Sequence, residues 1–285
     1  MGSLDLHETI SRAAELFHWA EDPEPAPLNS SPLGKIKVGV DLGTAYLTVA
    51  VLDENDRPLA GEYQFAQVAR DGLVVDFVGA VDLVKKMKDR IERRIGRELT
   101  HAASGYPPGV PRAEVQSTAY VVEAAGMACS GLIDEPSAAN ALVQLQDGAI
   151  VDVGGGTTGI AVVENGQVVY TADEATGGTH FSLVIAGARD IPFEDAERLK
   201  VDPAQQPVLY PVVKPVLEKV ASIVARHVQG YQVPEIALVG GTSAFYRAAE
   251  VIEEYTGIRT WVSEHPALVT PIGMAMQDNS GDKPY

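Results

Sequence analysis

Cysteine is almost absent from this chain: its 285 residues include one, Cys129. A single cysteine excludes a disulfide framework within the chain and a metal cluster built on several thiolates. Cys129 lies in the small-residue stretch 126–131, so we interpret it as a core-lining side chain rather than a reactive thiol. The six histidines are scattered without metal-binding spacing, and we interpret them as structural or surface residues.

Basic side chains are also few. The chain has 22 lysines and arginines against 39 acidic residues, which gives a formal net charge of −17. Such a surface repels phosphate backbones and anionic lipids, so we expect neither nucleic acid nor a membrane surface as a partner. No uncharged run approaches the roughly 18 residues needed to span a bilayer, and no signal peptide opens the chain. These absences predict a cytoplasmic protein.

Two common nucleotide-binding motifs are missing as well. Gly34-Lys35 is followed by Ile36, so there is no Walker lysine motif. No Gly-x-Gly-x-x-Gly run opens a helix after the first predicted strand. The two nucleotide-binding folds that these motifs mark are therefore not supported.

What is present is an alternation of Val- and Ile-rich runs with amphipathic segments, which predicts an α/β fold. The predicted strands are 36–41, 47–52, 149–153, 159–163 and 236–239. Asn165-Gly166 predicts a hairpin turn after the fourth of them. Five helices are predicted. Glycine ends three of them: Val84 to Ile95 stops at Gly96, Val115 to Val122 at Gly126, and 244–255 at Gly257. The other two are 136–146, which begins with Pro136, and Val213 to Val224.

The N-terminal residues form a distinct segment. Residues 4–20 have helical periodicity with four apolar side chains on one face, namely Leu6, Ile10, Ala13 and Phe17. The stretch 21–32 contains four prolines and is typical of an extended linker. Two interpretations are open: the helix docks on a partner protein, or it folds back on its own body, because so short a helix is marginal alone in water.

An internal repeat links the two halves of the chain. The stretch 40–51 resembles the stretch 151–162, with Asp41 aligned to Asp152 and Gly43 to Gly154. Each copy is predicted to be a strand, an Asp-x-Gly turn and a second strand. Two structurally related lobes with a cleft between them would produce this repeat.

Each repeated turn is a candidate phosphate site, because such turns direct several backbone N–H groups into one concavity. Asp41 and Asp152 would then hold a hydrated Mg²⁺ between carboxylate and phosphate. The alternative is an ordinary hairpin, where Asp and Gly are favoured anyway. The run Gly154-Gly155-Gly156 favours phosphate binding, since three consecutive glycines do not help a structural hairpin.

Two further elements are candidates for flanking a ligand. The strand 236–239 leads into Gly240 and Gly241, which would place bare backbone and a helix N-terminus beside it. Glu135 precedes Pro136 at the start of an Ala-rich helix. A carboxylate there could orient a water molecule or simply cap the helix.

The order of these motifs resembles the superfamily of actin, the bacterial actin MreB and the DnaK-type chaperones. Residues 41–51 and 152–162 resemble its two phosphate motifs. The remaining correspondences are 135–141 and 264–276 with its connecting helices, and 238–243 with its adenosine motif. The likeness covers nearly all of residues 36–276 and implies an actin-like ATPase fold, with two related lobes around a nucleotide cleft.

This resemblance implies a site for ATP or ADP with Mg²⁺. Asp41 and Asp152 would hold the hydrated metal, and Glu135 would position the attacking water, which makes these three the candidate catalytic residues. The phosphates and adenosine would contact Gly43, Thr44, Gly154, Gly155, Gly156, Thr157, Gly240 and Gly241. Glu197 and Lys200 resemble residues of MreB that reach the ribose; an exposed i,i+3 ion pair is their alternative.

The resemblance also predicts how the chain divides. Residues 1–33 would be the helix and linker, 34–145 lobe I, 146–263 lobe II, and 264–285 a closing helix returning to lobe I with a C-terminal tail. The stretch 53–76 is too short for the cover subdomain of actin and DnaK, which we expect to be reduced. The catalytic lysine of the chaperones lies in that subdomain and has no counterpart here, and we expect no peptide-binding domain.

Three stretches, 68–81, 172–180 and 214–227, are similar to the EutJ family of ethanolamine-utilisation proteins, which are commonly described as chaperone-like. This likeness implies a slow ATPase switch or chaperone-like factor associated with the bacterial microcompartment. Its candidate partners are ethanolamine ammonia-lyase and the shell proteins or enzymes of the compartment. Two alternatives stay open: a non-hydrolysing scaffold, and a small-molecule kinase of the same superfamily. The kinase is disfavoured because such kinases often carry a Cys-rich zinc motif.

Overall fold

The computed structural model describes residues 5–28, 34–70 and 73–279. Contacts between Cα atoms divide the chain into two compact units. Unit 1 comprises Met1–Gln144 and Leu268–Tyr285, and unit 2 comprises Leu145–Ala267. The finer division into four segments that is expected from the sequence stays a prediction.

Unit 1 contains a six-stranded sheet in the order β1-β4-β3-β2-β7-β8. Strands β2, β3 and β4 are antiparallel, whereas β7 and β8 continue the sheet in parallel from β2. The elements are α1 Leu6–Leu16, β1 Phe17–Trp19, β2 Ile36–Leu42, β3 Tyr46–Asp53, β4 Pro58–Phe65, β5 Ala69–Arg70, β6 Leu73–Val74, α2 Phe77–Ile95, β7 His101–Tyr106, α3 Arg112–Ala124, β8 Ala128–Asp134 and α4 Glu135–Val143.

Helix α2 shows how the sequence sets these elements. Its predicted apolar face, from Val84 to Ile95, is buried against the sheet. The Asp76 side chain accepts a hydrogen bond from the Gly79 amide at the N-terminus. Gly96 adopts a left-handed φ of 66° at the C-terminus, which glycine does without steric cost. The predicted helix and its stop are confirmed.

Unit 2 contains a five-stranded sheet in the order β11-β10-β9-β12-β13. Strands β9, β10 and β11 are antiparallel, and β12 and β13 continue in parallel from β9. The elements are β9 Gly148–Val153, β10 Thr158–Glu164, β11 Gln167–Glu174, α5 Gly178–Arg189, α6 Phe193–Val201, α7 Gln206–Val228, β12 Glu235–Val239, a 3₁₀ turn Gly241–Ala244, α8 Ala248–Thr256 and β13 Arg259–Val262.

The two sheets share one topology, which accounts for the internal repeat. In each, an antiparallel three-stranded meander is followed by two strands that add in parallel to its first strand. Asp41 and Asp152 are each the penultimate residue of that first strand. The sequence repeat therefore predicted a structural repeat correctly.

The predicted helix 244–255 begins later than expected. Ala244 ends the 3₁₀ turn, and α8 starts at Ala248. Arg247 has a φ of 63°, which is incompatible with a right-handed helix. An apolar periodicity cannot reveal such a residue, because its conformation depends on what surrounds it.

The N-terminal segment is part of unit 1. Ile10 and Ala13 of α1 are 1% and 0% exposed, and β1 pairs in parallel with β4 through Phe17 and Gly61. The hypothesis of a docking helix held away from the body is therefore wrong for the described residues, and the fold-back alternative is confirmed. Burying an apolar face on β4 provides the packing that so short a helix needs.

The chain returns to unit 1 with α9 Val269–Met276, which follows a short 3₁₀ turn, Pro266–Leu268. A Cβ at Gly273 would collide with the Ala138 carbonyl, so glycine allows α9 and α4 to pack closely. Asp278 is buried after α9 and accepts hydrogen bonds from the Val38 amide, at 2.9 Å, and from the Ser130 hydroxyl, at 2.6 Å. These bonds fix the returning segment to the sheet.

The cover subdomain is reduced, as expected. Between β4 and α2 the described residues form only the two-residue strands β5 and β6.

In the part of the chain that the structure describes, no helix combines the length and apolarity that a membrane crossing requires.

Candidate functional site

The turn between β9 and β10 is the best-defined candidate site. The Gly154 amide donates to the Thr157 carbonyl at 3.0 Å, which closes the turn. Asp152 lies at its base opposite Gly159, with 7% of its surface exposed. Three of the predicted site features, namely the aspartate, the glycine run and Thr157, therefore occur together.

The carbonyls of this turn are fixed by neighbouring elements. The Gly154 carbonyl accepts hydrogen bonds from the Gly178 amide at 2.9 Å and the Thr242 hydroxyl at 2.8 Å. The Gly155 carbonyl accepts one from the Thr179 amide at 2.7 Å. The first amides of α5 are thus used to hold the turn. The turn is a rigid part of unit 2 rather than a free loop.

The amides of the turn are used differently. Those of Gly155, Gly156 and Thr157 donate no hydrogen bond to any residue within 5–28, 34–70 or 73–279. Successive unpaired N–H groups in a tight turn form an anion-binding concavity. The carbonyl groups of Gly154 and Gly155 are therefore held by neighbouring residues, whereas three amides of the turn are available to a ligand.

Glycine is required at two places around this turn. A Cβ at Gly177 would lie 2.8 Å from the Gly154 carbonyl oxygen, so α5 reaches the turn only with glycine there. Gly240 has a φ of 81°, and a Cβ on it would collide with the Asp152 carboxylate. Strand β12 pairs with β9 so that Val239 lies opposite Asp152, which brings Gly240 to this position. Gly240 thus lies beside Asp152; Gly241 begins a 3₁₀ turn, not the predicted helix.

Glu197 and Lys200 form a buried ion pair beneath the same turn. The Lys200 ammonium lies 2.6 Å from Oε2 of Glu197, and both residues are at most 7% exposed. Ser182 donates to the same oxygen at 2.5 Å, and Lys200 donates to the Gly178 carbonyl at 3.3 Å. The alternative of an exposed ion pair is therefore wrong. Burial lowers the pKa of Lys200, and the Glu197 carboxylate opposes that shift.

Unit 1 holds the other predicted residues. Asp41 lies on β2 opposite Thr48, and Gly43 and Thr44 form the turn to β3. A Cβ at Gly43 would lie 2.5 Å from the Tyr46 carbonyl oxygen, so this tight turn also requires glycine. The roles of Asp41, Gly43 and Thr44 in binding phosphate and metal stay predictions.

Glu135 is the first residue of α4, and Pro136 follows it in the first turn. Asp134 caps the helix, with its side chain accepting from the Ser137 amide at 3.0 Å. The preceding aspartate thus forms the N-cap, while Glu135 lies in the first turn, where the helix dipole favours a carboxylate. The role of Glu135 toward a water molecule stays a prediction.

The structure thus brings together the predicted residues of unit 2, from Asp152 to Gly241. Sequence reasoning missed Thr242, Ser182 and the pair Gly177-Gly178 as supports of the turn. The glycine pair is visible in the stretch 172–180, but its contact with Gly154 is not.

Among the described residues, no group of three or more His, Cys, Asp or Glu side chains is placed to hold a metal ion.

Comparisons with solved structures define the class of this fold. A structure of MreB5 of Spiroplasma citri bound to ADP covers 87% of this chain and 99% of its own, with a TM-score of 0.69 at 16% identity. A PilM–PilN type IV pilus biogenesis complex matches with a TM-score of 0.70 at 14% identity, over 89% of this chain and 100% of the other. The model of the type IV pilus assembly protein PilM family matches residues 113–276. The chain has the actin-like ATPase fold.

Closer relatives identify the family. The ethanolamine utilization protein EutJ of Salmonella typhimurium is 44% identical over 247 residues, which are 86% of this chain and 85% of that protein. The crystal structure of EutJ from Carboxydothermus hydrogenoformans has a TM-score of 0.87 at 40% identity, over 97% of this chain and 99% of the other. The chain belongs to the EutJ family of ethanolamine utilization proteins.

Proposed function

We propose that this protein binds an adenine nucleotide with Mg²⁺ and uses it to switch its action on a protein partner in ethanolamine utilisation. One observation carries the proposal: the rigid turn Gly154–Thr157 has three successive amides without acceptors among the described residues. A cluster of oriented N–H groups is suited to phosphate oxygens and does not need a lysine. The ADP in the MreB5 structure supports the same ligand class in this fold.

The residues of unit 2 fit such a ligand. The amides of Gly155, Gly156 and Thr157 would donate to phosphate oxygens, and the fixed carbonyls of Gly154 and Gly155 hold them in place. Preorganised donors are effective because they need no rearrangement when the anion arrives. Gly240 and Gly241 would leave room for the nucleoside beside Asp152.

Asp152 would act through water rather than on phosphate directly, since two anions repel each other. Mg²⁺ retains several waters and uses few protein carboxylates, which agrees with one buried aspartate at the base of the turn. The metal would neutralise phosphate charge. Asp41 is proposed to hold a metal-bound water from unit 1. Glu197 and Lys200 support the turn from below, and their proposed contact is with the ribose.

Hydrolysis, where it occurs, would be slow. Glu135 is the proposed residue for positioning the attacking water. The chaperones' catalytic lysine belongs to a subdomain that is replaced here by the two-residue strands β5 and β6. The same reduction favours a second candidate function, a scaffold that binds nucleotide without turning it over.

The proposed partner is a protein of the ethanolamine-utilisation system, with ethanolamine ammonia-lyase and the microcompartment shell or enzymes as candidates. The names of the relatives support the system, and the complex of PilM with PilN supports partner binding by a protein of this fold. The proposed location is the cytoplasm, at the microcompartment.

Calorimetric titration with Mg-ATP and Mg-ADP tests the proposal, followed by assay of phosphate release. We expect saturable binding of both nucleotides, weakened by chelation of Mg²⁺, and slow release that is lost in Glu135→Ala. Nucleotide binding without phosphate release would favour the non-hydrolysing scaffold over the ATPase switch. Absence of binding by either nucleotide would overturn both.

A further inference from the structure

A cavity lies in unit 1, between the N-terminal segment, β4 and α2. Its volume is about 160 Å³, roughly five water molecules. The buried residues Gly61, Glu62 and Ile91 form its floor, and the exposed residues Glu24, Pro27 and Arg93 lie at its rim. A cavity of this size is too small for a nucleotide and suits a metabolite of a few heavy atoms.

Five of the ten residues that line the cavity are charged. Three of its residues are cationic, Arg90, Arg93 and Arg94, against two carboxylates, Glu24 and Glu62. Arg90 pairs with Glu62 at 2.5 Å, and Arg93 pairs with Glu24 at 2.7 Å at the surface. Arg94 donates to the Leu16 carbonyl, which is neutral. The residues that line the cavity therefore carry one more positive charge than negative charges.

Three of these residues carry polar atoms that are buried without a partner. They are Glu62 Oε2, Arg90 Nη2 and Arg94 Nε, and Glu62 as a whole is 2% exposed. Burial raises the pKa of Glu62, against the opposing effect of Arg90, and lowers the pKa of Arg94, against the opposing effect of Glu62. Leaving charged groups buried and unsatisfied is costly, so such a cluster requires an explanation.

We propose that this cavity, which we call the Glu62–Arg94 site, binds a small organic oxyanion that carries a hydroxyl group. The oxyanion would supply the missing counterion and accept from the Arg90 and Arg94 guanidinium groups, which are directional donors for carboxylate and phosphate. The hydroxyl would donate to Glu62. None of these residues belongs to the proposed nucleotide site, and each lies within residues 18–94 of unit 1.

Calorimetric titration of the full chain with glycolate, acetate and inorganic phosphate tests the site. We expect saturable one-to-one binding of glycolate, at least about threefold tighter than acetate because acetate has no hydroxyl to donate. Inorganic phosphate can also enter the proposed nucleotide site, so only phosphate binding that Arg94→Gln weakens is assigned to this cavity. If that binding is tighter than the binding of glycolate, the ligand class is phosphate esters, and the reverse order indicates hydroxy acids. Absence of saturable binding by all three probes overturns the proposal.

Two variants locate the binding. Arg94→Gln should weaken glycolate binding about tenfold, the effect of losing one charge-assisted hydrogen bond. Arg198→Gln removes an exposed arginine of unit 2 and should leave it unchanged. Mg-ATP affinity should be the same in both, which separates this site from the nucleotide site. Equal glycolate affinity in Arg94→Gln and the original chain would refute the assignment.

Should Arg94→Gln fail to fold, Glu62→Gln keeps the side-chain shape and should remove the preference for glycolate over acetate. A crystal structure grown with glycolate provides an independent readout. Density for the anion against Arg90 and Arg94 is the expected result. A two-point Glu62–Arg90 ion pair with only water in the cavity would show that the unpaired atoms need no ligand.

Discussion

The two units share a sheet topology but support their Asp-bearing turns differently. In unit 2 the turn is held by the α5 amides, by the Thr242 hydroxyl and by Gly177 packed against it. In unit 1 the turn is shorter, and its Ala45 carbonyl accepts from the Ala66 amide at 3.0 Å. The same sheet thus holds two turns with different supports. If the proposed nucleotide binds, we therefore expect unit 2 to supply most of its binding free energy.

The strand that follows each meander reinforces the difference. In unit 2, β12 is followed by Gly240, whose lack of a side chain leaves room for Asp152. In unit 1 the corresponding strand, β7, ends in Tyr106 instead. Burial raises the pKa of Tyr106, and nearby Asp134 adds to that effect. A repeated fold therefore does not imply repeated function in its two turns.

The largest expected effect is on the ion pair beneath the unit 2 turn. Lys200→Met would leave Glu197 buried without its cation, which costs about 3–5 kcal/mol of unfolding free energy. The control is Arg198→Met, which breaks the exposed pair with Asp195 and should cost at most about 0.5 kcal/mol. Chemical denaturation measures both, and equal costs would contradict the buried position of the pair.

A substitution at Gly240 tests whether the close contact with Asp152 affects the free energy of unfolding. Gly240→Ala should cost about 3 kcal/mol, because it combines a left-handed φ with a collision against Asp152. Gly257→Ala is the matched control, since Gly257 has a φ of 70° with nothing within 4 Å of an added Cβ; it should cost about 1–2 kcal/mol. If the two costs agree within error, the contact with Asp152 has no effect on stability.

The aspartates test the comparison directly. Asp152→Asn should weaken Mg-ATP binding at least about tenfold, and Asp41→Asn by a smaller factor of about three. After chelation of Mg²⁺, neither variant should bind ATP more weakly than the original chain, because a carboxylate without its metal would only repel phosphate. Titration calorimetry measures each affinity. A larger loss in Asp41→Asn would reverse the assignment of the two turns.

The smallest effect concerns the support of the turn. Thr242→Val removes the hydroxyl that donates to the Gly154 carbonyl and should cost about 1 kcal/mol of unfolding free energy. Thr242→Ser keeps the hydroxyl and should recover most of that loss. Thermal unfolding compares the two variants, and equal melting temperatures would mean that this bond does not hold the turn.

Much of the fold could be predicted from local pattern. The runs 36–41 and 149–153 predicted strands because buried strands are continuous and apolar, and the Asp-x-Gly repeat predicted the doubled topology. The sequence leaves the position of α1 open, because an amphipathic face shows that a helix packs but not against which surface.

The site was predicted less completely, for reasons that are tertiary. The i,i+3 spacing of Glu197 and Lys200 is compatible with exposure or burial, and only the packing of α5 on α6 decides between them. Thr242 lies in a motif in which only the glycines indicate a ligand site, and its hydrogen bond to Gly154 joins segments 88 residues apart. Such contacts leave no periodic signal in the sequence.

The most direct test of the central claim observes the amides themselves. Nuclear magnetic resonance of the ¹⁵N-labelled protein, titrated with Mg-ADP, would follow Gly155, Gly156 and Thr157 individually. The account predicts large shifts and increased protection from hydrogen exchange at these three amides, with smaller changes at Gly43 and Thr44. Saturable binding of Mg-ADP that leaves the three amides unchanged would contradict it.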